Sequence, residues 1–145
     1  MRKLFILFAV VFALVSGATV TVVTTAMTSD AAFARTALAA ETRTFDQTAF
    51  AEAQKAGKPI FIGVHASWCP TCKAQDPILG ELMSAPKFKD LVYFVIDFDG
   101  QKDAVKAFGV RTQSTLIAYK GDRETGRSVG DTNRASIAAL LDTTL

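Results

Sequence analysis

The two cysteines of the chain, Cys69 and Cys72, are separated by Pro70 and Thr71 and preceded by Trp68. An apolar segment typical of a buried strand comes before them, and a segment with helical spacing begins at them. A helix N-terminus presents unpaired backbone N–H groups and a partial positive charge, which favour a thiolate at the first cysteine. The spacing therefore predicts a redox-active disulfide pair, with Cys69 as an exposed nucleophile and Cys72 as the resolving thiol.

Such a pair performs thiol–disulfide exchange through a mixed disulfide. The Cys69 thiolate attacks a substrate disulfide, Cys72 then displaces the reduced substrate, and oxidation is the reverse sequence. Three other interpretations stay open: a static structural disulfide, half of a zinc site, and two unrelated core cysteines. A four-residue loop gains little from closure, and a zinc site needs two further ligands although His65 is the only histidine.

A Cu(I)-binding or metal-delivery module is the alternative function. Two soft thiolates suit Cu(I), and His65 could act as a third ligand. The chain has no methionine cluster or further ligand beside the pair. Thiol–disulfide exchange is therefore the preferred function, and neither a metal nor another cofactor is expected.

His65 is also a candidate proton helper for the exchange reaction. It lies four residues before Cys69 at the predicted strand end, and histidine is the side-chain type that titrates near neutral pH. The ordinary alternative is a packed or exposed histidine without a role. The hypothesis predicts that a neutral substitute for His65 changes the pH dependence of Cys69 alkylation.

The elements that must position these residues follow from hydrophobic periodicity. The pattern predicts an α/β domain with the element order αβαβαββα and a central sheet of about four strands flanked by helices. The predicted helices cover 45–56, 69–84, 102–108 and a last segment through residue 141, and the predicted strands cover 59–64, 91–98, 115–120 and 127–129.

Cap and turn residues delimit several of these elements. Thr44 or Asp46 is expected to cap the first helix, and Asp131 or Thr132 the last one. Gly121-Asp122 is typical of a hairpin turn between the last two strands.

The first 39 residues have the composition of an export signal. Arg2 and Lys3 precede an uncharged, mostly apolar run, and small residues predict cleavage after Ala39. The run is also long enough to cross a bilayer of about 30 Å, so an N-terminal membrane anchor is the alternative. In both cases the positive-inside rule predicts a periplasmic, secreted or otherwise extracytoplasmic domain over residues 40–145.

Length and charge restrict the remaining possibilities. The 145 residues suffice for one domain with one core. Residues 41–145 carry 13 Lys plus Arg and 13 Asp plus Glu, so the formal charge of +2 comes from the leader. Because residues 41–145 have no basic cluster, nucleic-acid binding is not expected. We also expect a monomer. The expected partners are exported proteins with disulfides or thiols and a membrane or periplasmic redox partner.

The segment around the cysteines resembles the active-site segment of the thioredoxin superfamily. The resemblance covers residues 45–141 and rests on Lys58-Pro59, on ASWCPTCK over residues 66–73, on Pro77 and on the strand over residues 115–120. It is similar especially to periplasmic thioredoxin domains of bacterial disulfide-reducing systems. The resemblance implies a thioredoxin-like fold for residues 40–145, a kink at Pro77, and a protein-disulfide oxidoreductase with the reducing direction favoured.

Two positions depart from the family pattern. Ser114 stands where the family places a cis-proline in the loop that pairs with substrate, so the resemblance makes Gln113, Ser114 and Thr115 the candidates for substrate contact. A cis bond before serine costs about 3 to 4 kcal/mol, which favours a trans Gln113–Ser114 bond. Gly63 stands where many thioredoxins carry a buried acidic residue that serves the resolving cysteine, so solvent or a neighbouring histidine would have to replace it.

Overall fold

The computed structural model describes residues 40–145, and the expected leader over residues 1–39 lies outside them. The described part contains the strands β1 (Glu41–Thr44), β2 (Pro59–His65), β3 (Val92–Asp97), β4 (Thr115–Lys120) and β5 (Arg123–Val129). Its helices are α1 (Gln47–Lys55), α2 (Pro70–Met83), α3 (Lys102–Ala107) and α4 (Arg134–Asp142), and a 3-10 helix covers Pro86–Phe88. Within this part of the chain, no helix has both the length and the apolar character needed to cross a bilayer.

The five strands form one mixed sheet in the order β1-β3-β2-β4-β5. β1, β3 and β2 run parallel, whereas β4 runs antiparallel to both β2 and β5. The central strand β2 pairs on both sides, so that Gly63 lies opposite Val95 of β3 and Leu116 of β4. This is the thioredoxin-like α/β architecture that the sequence predicts, and it places the C-terminal end of β2 in the middle of the sheet.

One strand beyond the predicted set stands at the sheet edge. All four residues of β1 are exposed, and its sequence Glu-Thr-Arg-Thr has no apolar alternation. Backbone pairing alone defines it, from Glu41 opposite Val92 to Thr44 opposite Val95. The hydrophobic pattern therefore carries no signal for this strand.

Two further boundaries differ from expectation. β5 begins at Arg123 rather than near Arg127, because the predicted turn at Gly121-Asp122 leads directly into antiparallel pairing with β4. The predicted caps of the last helix are wrong. The N-cap of α4 is Asn133, whose side chain accepts hydrogen bonds from Ala135 and Ser136, while Asp131 accepts one from the Asn133 backbone. The expected cap Asp46 of α1 is confirmed.

Helices cover both faces of the sheet. On the face of α1 and α3, the buried core includes Phe45, Phe50, Ile60, Ile62, Val64, Phe94, Val105 and Ile117. On the face of α2 and α4, it includes Phe61, Leu79, Met83, Tyr93, Leu116, Ile137 and Leu141. Alternation along β2 places Gly63 and His65 on the second face, beside the helix that carries the cysteines.

Candidate active site

Cys69 occupies the N-cap position of α2. The Cys69 backbone N–H donates to the Ala66 carbonyl at 3.0 Å, which closes the turn after β2. Its sulfur accepts a hydrogen bond from the Cys72 backbone N–H at 3.1 Å. Pro70 is the first residue of the helix. A backbone N–H at this position would have no intrahelical acceptor, so the helix loses no hydrogen bond to proline. The helix start thus directs a backbone donor at the Cys69 sulfur, as the sequence predicts.

The Ser114 hydroxyl lies against both sulfurs. Its oxygen is 3.0 Å from the Cys69 sulfur and 3.3 Å from the Cys72 sulfur. Both cysteines are free thiols. The same residue therefore contacts the predicted nucleophile and the predicted resolving thiol.

The backbone at Ser114 adopts an unusual conformation. No cis peptide bond occurs in residues 40–145, which confirms the trans bond expected between Gln113 and Ser114. Ser114 has φ of +60°, the single positive value for a non-glycine residue in that range. A left-handed conformation of this kind costs about 1 to 3 kcal/mol and persists only where the surroundings hold it.

Three hydrogen bonds hold the Ser114 backbone in place, and a fourth ties its partner Gln75 to the Asp131 carbonyl. Its N–H donates to the Val64 carbonyl at 2.8 Å, and its carbonyl accepts from the Gly130 N–H at 2.9 Å. The Gln75 amide Nε2 donates to the Ser114 carbonyl at 3.3 Å and to the Asp131 carbonyl at 2.8 Å. Both backbone groups of Ser114 are therefore occupied.

Sequence reasoning did not select Gln75. It is a polar residue that is only 3% exposed, on the inner face of α2 with Cys72 and Leu79. Their spacing of three and four residues would have identified a polar side chain in an otherwise apolar helix face.

The two thiols are electrostatically unequal. Burial raises the pKa of Cys69, but hydrogen bonds from the Cys72 and Ser114 side chains and from backbone N–H groups outweigh it, so the net pKa is lowered. Burial raises the pKa of Cys72, and its hydrogen bond to the Cys69 sulfur raises it further. When the reduced pair loses one proton, the negative charge is therefore favoured on Cys69 and the remaining proton on Cys72.

The surroundings correct one expectation about Cys69. The residue is 1% exposed rather than open to solvent, because Ser114 and the helix start cover its sulfur. The exposed neighbour is Trp68, at 56%, and its indole Nε1 donates to the Asp99 carboxylate at 2.6 Å. Pro70 is exposed and Thr71 half-buried, both in the first turn of α2.

The other loop candidates lie beside Ser114 but face different ways. Thr115 begins β4, is buried, and its hydroxyl donates to the Thr112 carbonyl at 2.8 Å. Gln113 is half-buried, and its side chain accepts from the Thr112 hydroxyl at 3.1 Å. Pairing of a substrate with the Ser114 backbone would require its present hydrogen bonds to break. Contact of a substrate with Gln113, Ser114 or Thr115 stays a prediction.

Tyr93 fills the space beside Gly63. A Cβ at Gly63 would overlap the Tyr93 hydroxyl and would come within 3.0 Å of the ring carbon Cζ. Burial raises the pKa of Tyr93, and the nearby charges of Asp76 and Cys72 raise it further, so the phenol stays neutral. A neutral hydroxyl therefore occupies the side of Cys72 where the resemblance would place a carboxylate.

His65 ends β2 and pairs with a carboxylate on α2. Its Nε2 lies 3.4 Å from an Asp76 carboxylate oxygen. In the described residues, no group of three or more His, Cys, Asp or Glu side chains is arranged to hold a metal ion, so His65 does not join the cysteines as a third ligand there. Its role as a proton helper stays a prediction.

Comparison with known proteins agrees with this geometry. The family profile for thioredoxin matches residues 41–143. An H-type thioredoxin of Fagopyrum esculentum is 35% identical over 81 residues, which are 56% of this chain and 68% of the relative. An H-type thioredoxin of Brassica campestris is 35% identical over 89 residues, which are 61% and 71% of the two chains.

A solved structure extends the agreement to three dimensions. The crystal structure of Trxlp from Edwardsiella tarda EIB202 has a TM-score of 0.68 and 39% sequence identity, and the match covers 70% of this chain and 98% of that one. The profile match spans most of the described residues, and the sulfur pair at the start of α2 has the arrangement that dithiol exchange requires. The chain belongs to the thioredoxin family, and its site is that of a thioredoxin-type thiol–disulfide oxidoreductase.

Proposed function

We propose that this protein reduces disulfides of exported proteins outside the cytoplasm. The observation that carries the proposal is the position of Cys69 at the N-cap of α2, where its sulfur lies 3.1 Å from the Cys72 backbone nitrogen and 3.0 Å from the Ser114 hydroxyl oxygen. These contacts make the two thiols unequal, with the pKa of Cys69 lowered and that of Cys72 raised. This inequality prepares one sulfur to attack at neutral pH while the other keeps its proton until it is needed.

In the reducing direction the reaction has two exchange steps. The Cys69 thiolate attacks one sulfur of the substrate disulfide, a Cys69–substrate bond forms, and the first substrate sulfur leaves as a thiolate that takes a proton from water. Cys72 then loses its proton to solvent and attacks the Cys69 sulfur. The intramolecular disulfide forms, and the second substrate sulfur leaves and is protonated. The substrate gains two electrons and two protons overall.

The proposed location rests on the leader. Arg2 and Lys3 before an apolar run are typical of an export signal or an N-terminal anchor. An exported reductase needs an electron donor to return Cys69 and Cys72 to dithiols, so a membrane or periplasmic redox partner is part of the proposal. One relative is a bifunctional thioredoxin reductase/thioredoxin of Mycobacterium leprae, which is 28% identical over 92 residues that make up 20% of its length.

The exchange mechanism can be tested by trapping. Cys72→Ser leaves the nucleophile without its resolving partner, so the full-length chain should accumulate a mixed disulfide with an oxidised protein substrate such as insulin. Cys69→Ser should form no adduct, because the remaining thiol keeps its proton. Non-reducing electrophoresis and mass spectrometry measure the adduct. Equal trapping by the two variants would contradict the assignment of roles.

Direction and location need separate measurements. A reduction potential near that of thioredoxins, about −270 mV, would agree with the reducing direction, whereas one near about −120 mV, typical of strongly oxidising members of the fold, would oppose it. Expression of the full chain in a Gram-negative host, followed by fractionation and N-terminal sequencing, should recover the protein outside the cytoplasm and starting at Ala40 if the leader is cleaved. Recovery from the cytoplasm would overturn the proposed location.

A further inference from the structure

The Ser114 hydroxyl is placed to act on the sulfur chemistry itself. Its oxygen lies within hydrogen-bond distance of both reacting atoms, at 3.0 Å from the Cys69 sulfur and 3.3 Å from the Cys72 sulfur. Ser114 is 3% exposed, so its hydroxyl has little water to bond with instead. Ala66 and Phe98 pack against the pair and supply no polar side-chain atom.

We propose that Ser114 is a catalytic residue of the exchange reaction, whose hydroxyl donates a hydrogen bond to the Cys69 thiolate while it accepts one from the Cys72 thiol. This role rests on the proposed exchange function and adds a residue to it. A hydroxyl can donate once and accept in addition, so both bonds can exist together. The resulting chain runs from the Cys72 S–H through the Ser114 O–H to the Cys69 sulfur, and because a thiol has one proton, it replaces the direct hydrogen bond between Cys72 and the Cys69 sulfur.

This arrangement explains how a thiolate survives in a nearly closed site. A charge removed from water needs hydrogen bonds to replace its hydration. At Cys69 they come from the Cys72 backbone N–H and from Ser114. When the sulfur forms a mixed disulfide it loses its charge, and the Ser114 bond weakens. When Cys69 leaves again as a thiolate in the oxidising direction, the bond returns. Ser114 thus favours the state in which Cys69 is charged. Ser114 itself neither gains nor loses electrons.

Gln75 is the positioning residue for this hydroxyl. Its Nε2 joins the Ser114 carbonyl to the Asp131 carbonyl, and with the Val64 and Gly130 bonds it holds φ of Ser114 at +60°. A different φ would turn the side chain away from the sulfurs. The left-handed backbone is therefore the means by which a trans loop brings a hydroxyl to the dithiol.

Titratable neighbours do not supply the same effect. Tyr93 of β3 is the neighbour whose ionisation is coupled to the Cys72 charge, and it stays neutral over the working range. Asp76 of α2 pairs with His65 of β2, and Asp99 in the loop before α3 binds the Trp68 indole. A change in the Cys69 titration on loss of the Ser114 hydroxyl would therefore report that hydroxyl.

The test is the pH dependence of Cys69 alkylation by iodoacetamide in the reduced full-length chain. Ser114→Ala removes the hydroxyl, and Ser114→Gly removes it together with the backbone strain. Both should move the midpoint to higher pH and lower the alkylation rate below the midpoint by about tenfold, the effect of one hydrogen bond to a charged atom. Ser84→Ala, the same change at the far end of α2, is the matched control and should leave the midpoint in place.

Gln75→Met keeps the volume but removes both amide bonds, and it should move the midpoint in the same direction by a smaller amount. Circular dichroism and thermal melting identify variants that fail to fold, and the Ser114→Gly arm keeps the test valid if Ser114→Ala is strained. Midpoints of both Ser114 variants that coincide with the wild type would overturn the proposal. An unchanged midpoint for Gln75→Met would overturn its positioning role.

Insulin reduction by the wild-type chain is measured in parallel. A shifted midpoint without wild-type turnover would remove the proposed function and leave the thiolate contact. Turnover without a shifted midpoint would remove the role of Ser114 alone.

Discussion

The face of the sheet under α1 and α3 and the face under α2 and α4 are built from different chemistry. On the first, the Phe50 ring packs with those of Phe45, Phe94, Phe108 and Tyr119, with ring centroids 5.3 to 5.9 Å apart. Most of these contacts are edge-to-face, the arrangement that aromatic rings prefer.

On the second face, apolar packing gives way to buried polar groups toward the cysteines. Tyr93 places a hydroxyl against Gly63, Gln75 bridges two loop carbonyls, and Ser114 keeps a left-handed backbone beside the sulfurs. A buried polar group stabilises little unless its partners are all in place, whereas apolar contacts stabilise wherever they are dense.

This difference separates stability from reactivity. The rings around Phe50 hold the sheet together, and Phe98 packs both against this core and against the cysteine pair. The face of α2 and α4 contains a strained backbone at Ser114 and several buried polar groups. These features hold the thiolate in place. Changes on the first face should therefore alter the free energy of unfolding, and changes near the dithiol should alter its titration.

The largest effect is expected on the aromatic face. Phe50→Ala removes a buried ring with four ring neighbours and should lower the free energy of unfolding by about 3 to 5 kcal/mol. The pH midpoint of Cys69 alkylation should not change in the molecules that remain folded. Urea unfolding and alkylation of the same sample measure both quantities, with Phe50→Leu as a milder control. A shifted midpoint would show that the two faces are coupled.

A smaller effect is expected at Gly63. The Cβ of Gly63→Ala would overlap the Tyr93 hydroxyl, so the free energy of unfolding should fall by about 1 to 3 kcal/mol. Tyr93→Phe removes the overlapping oxygen, so the double variant should regain part of the lost free energy of unfolding. A double-mutant cycle detects this gain as a coupling energy. Gly80→Ala in α2, where a Cβ meets nothing within 4 Å, should be neutral or stabilising. Additive effects of the Gly63 and Tyr93 changes would contradict the contact.

The smallest effect is expected in the pH dependence of stability of the reduced chain. The lowered pKa of Cys69 means that the unfolded chain binds more protons near neutral pH, so stability should rise with pH up to the ordinary thiol value of about 8.5. The raised pKa values of Cys72 and Tyr93 reverse the sign at higher pH, because the folded chain then keeps protons that the unfolded chain loses.

Urea unfolding at a series of pH values measures this profile. Cys69→Ser should remove the rise at neutral pH and keep the fall at alkaline pH. A profile of Cys69→Ser that still rises would assign the effect to another group.

Much of this structure could be predicted from local pattern. Helical and strand periodicity located α1, α2, α3, β2, β3 and β4 to within a few residues, because each buries an apolar face of its own. β1 could not be located, since its four exposed residues are held by backbone bonds to β3. The cap of α4 also differed, because three neighbouring residues have side chains able to cap and only the path of the loop selects Asn133.

For the site, the chemistry of Cys69 and Cys72 followed from residue type and spacing, because both lie on one helix whose start supplies the donors. The sequence alone therefore predicted the reactive pair and favoured a trans bond before Ser114. Only the tertiary structure decided that Ser114 contacts both sulfurs, that Gln75 holds it there and that Tyr93 fills the space at Gly63. Those contacts join residues 30 to 45 positions apart, and they depend on how the strands and α2 pack together, which local spacing does not encode.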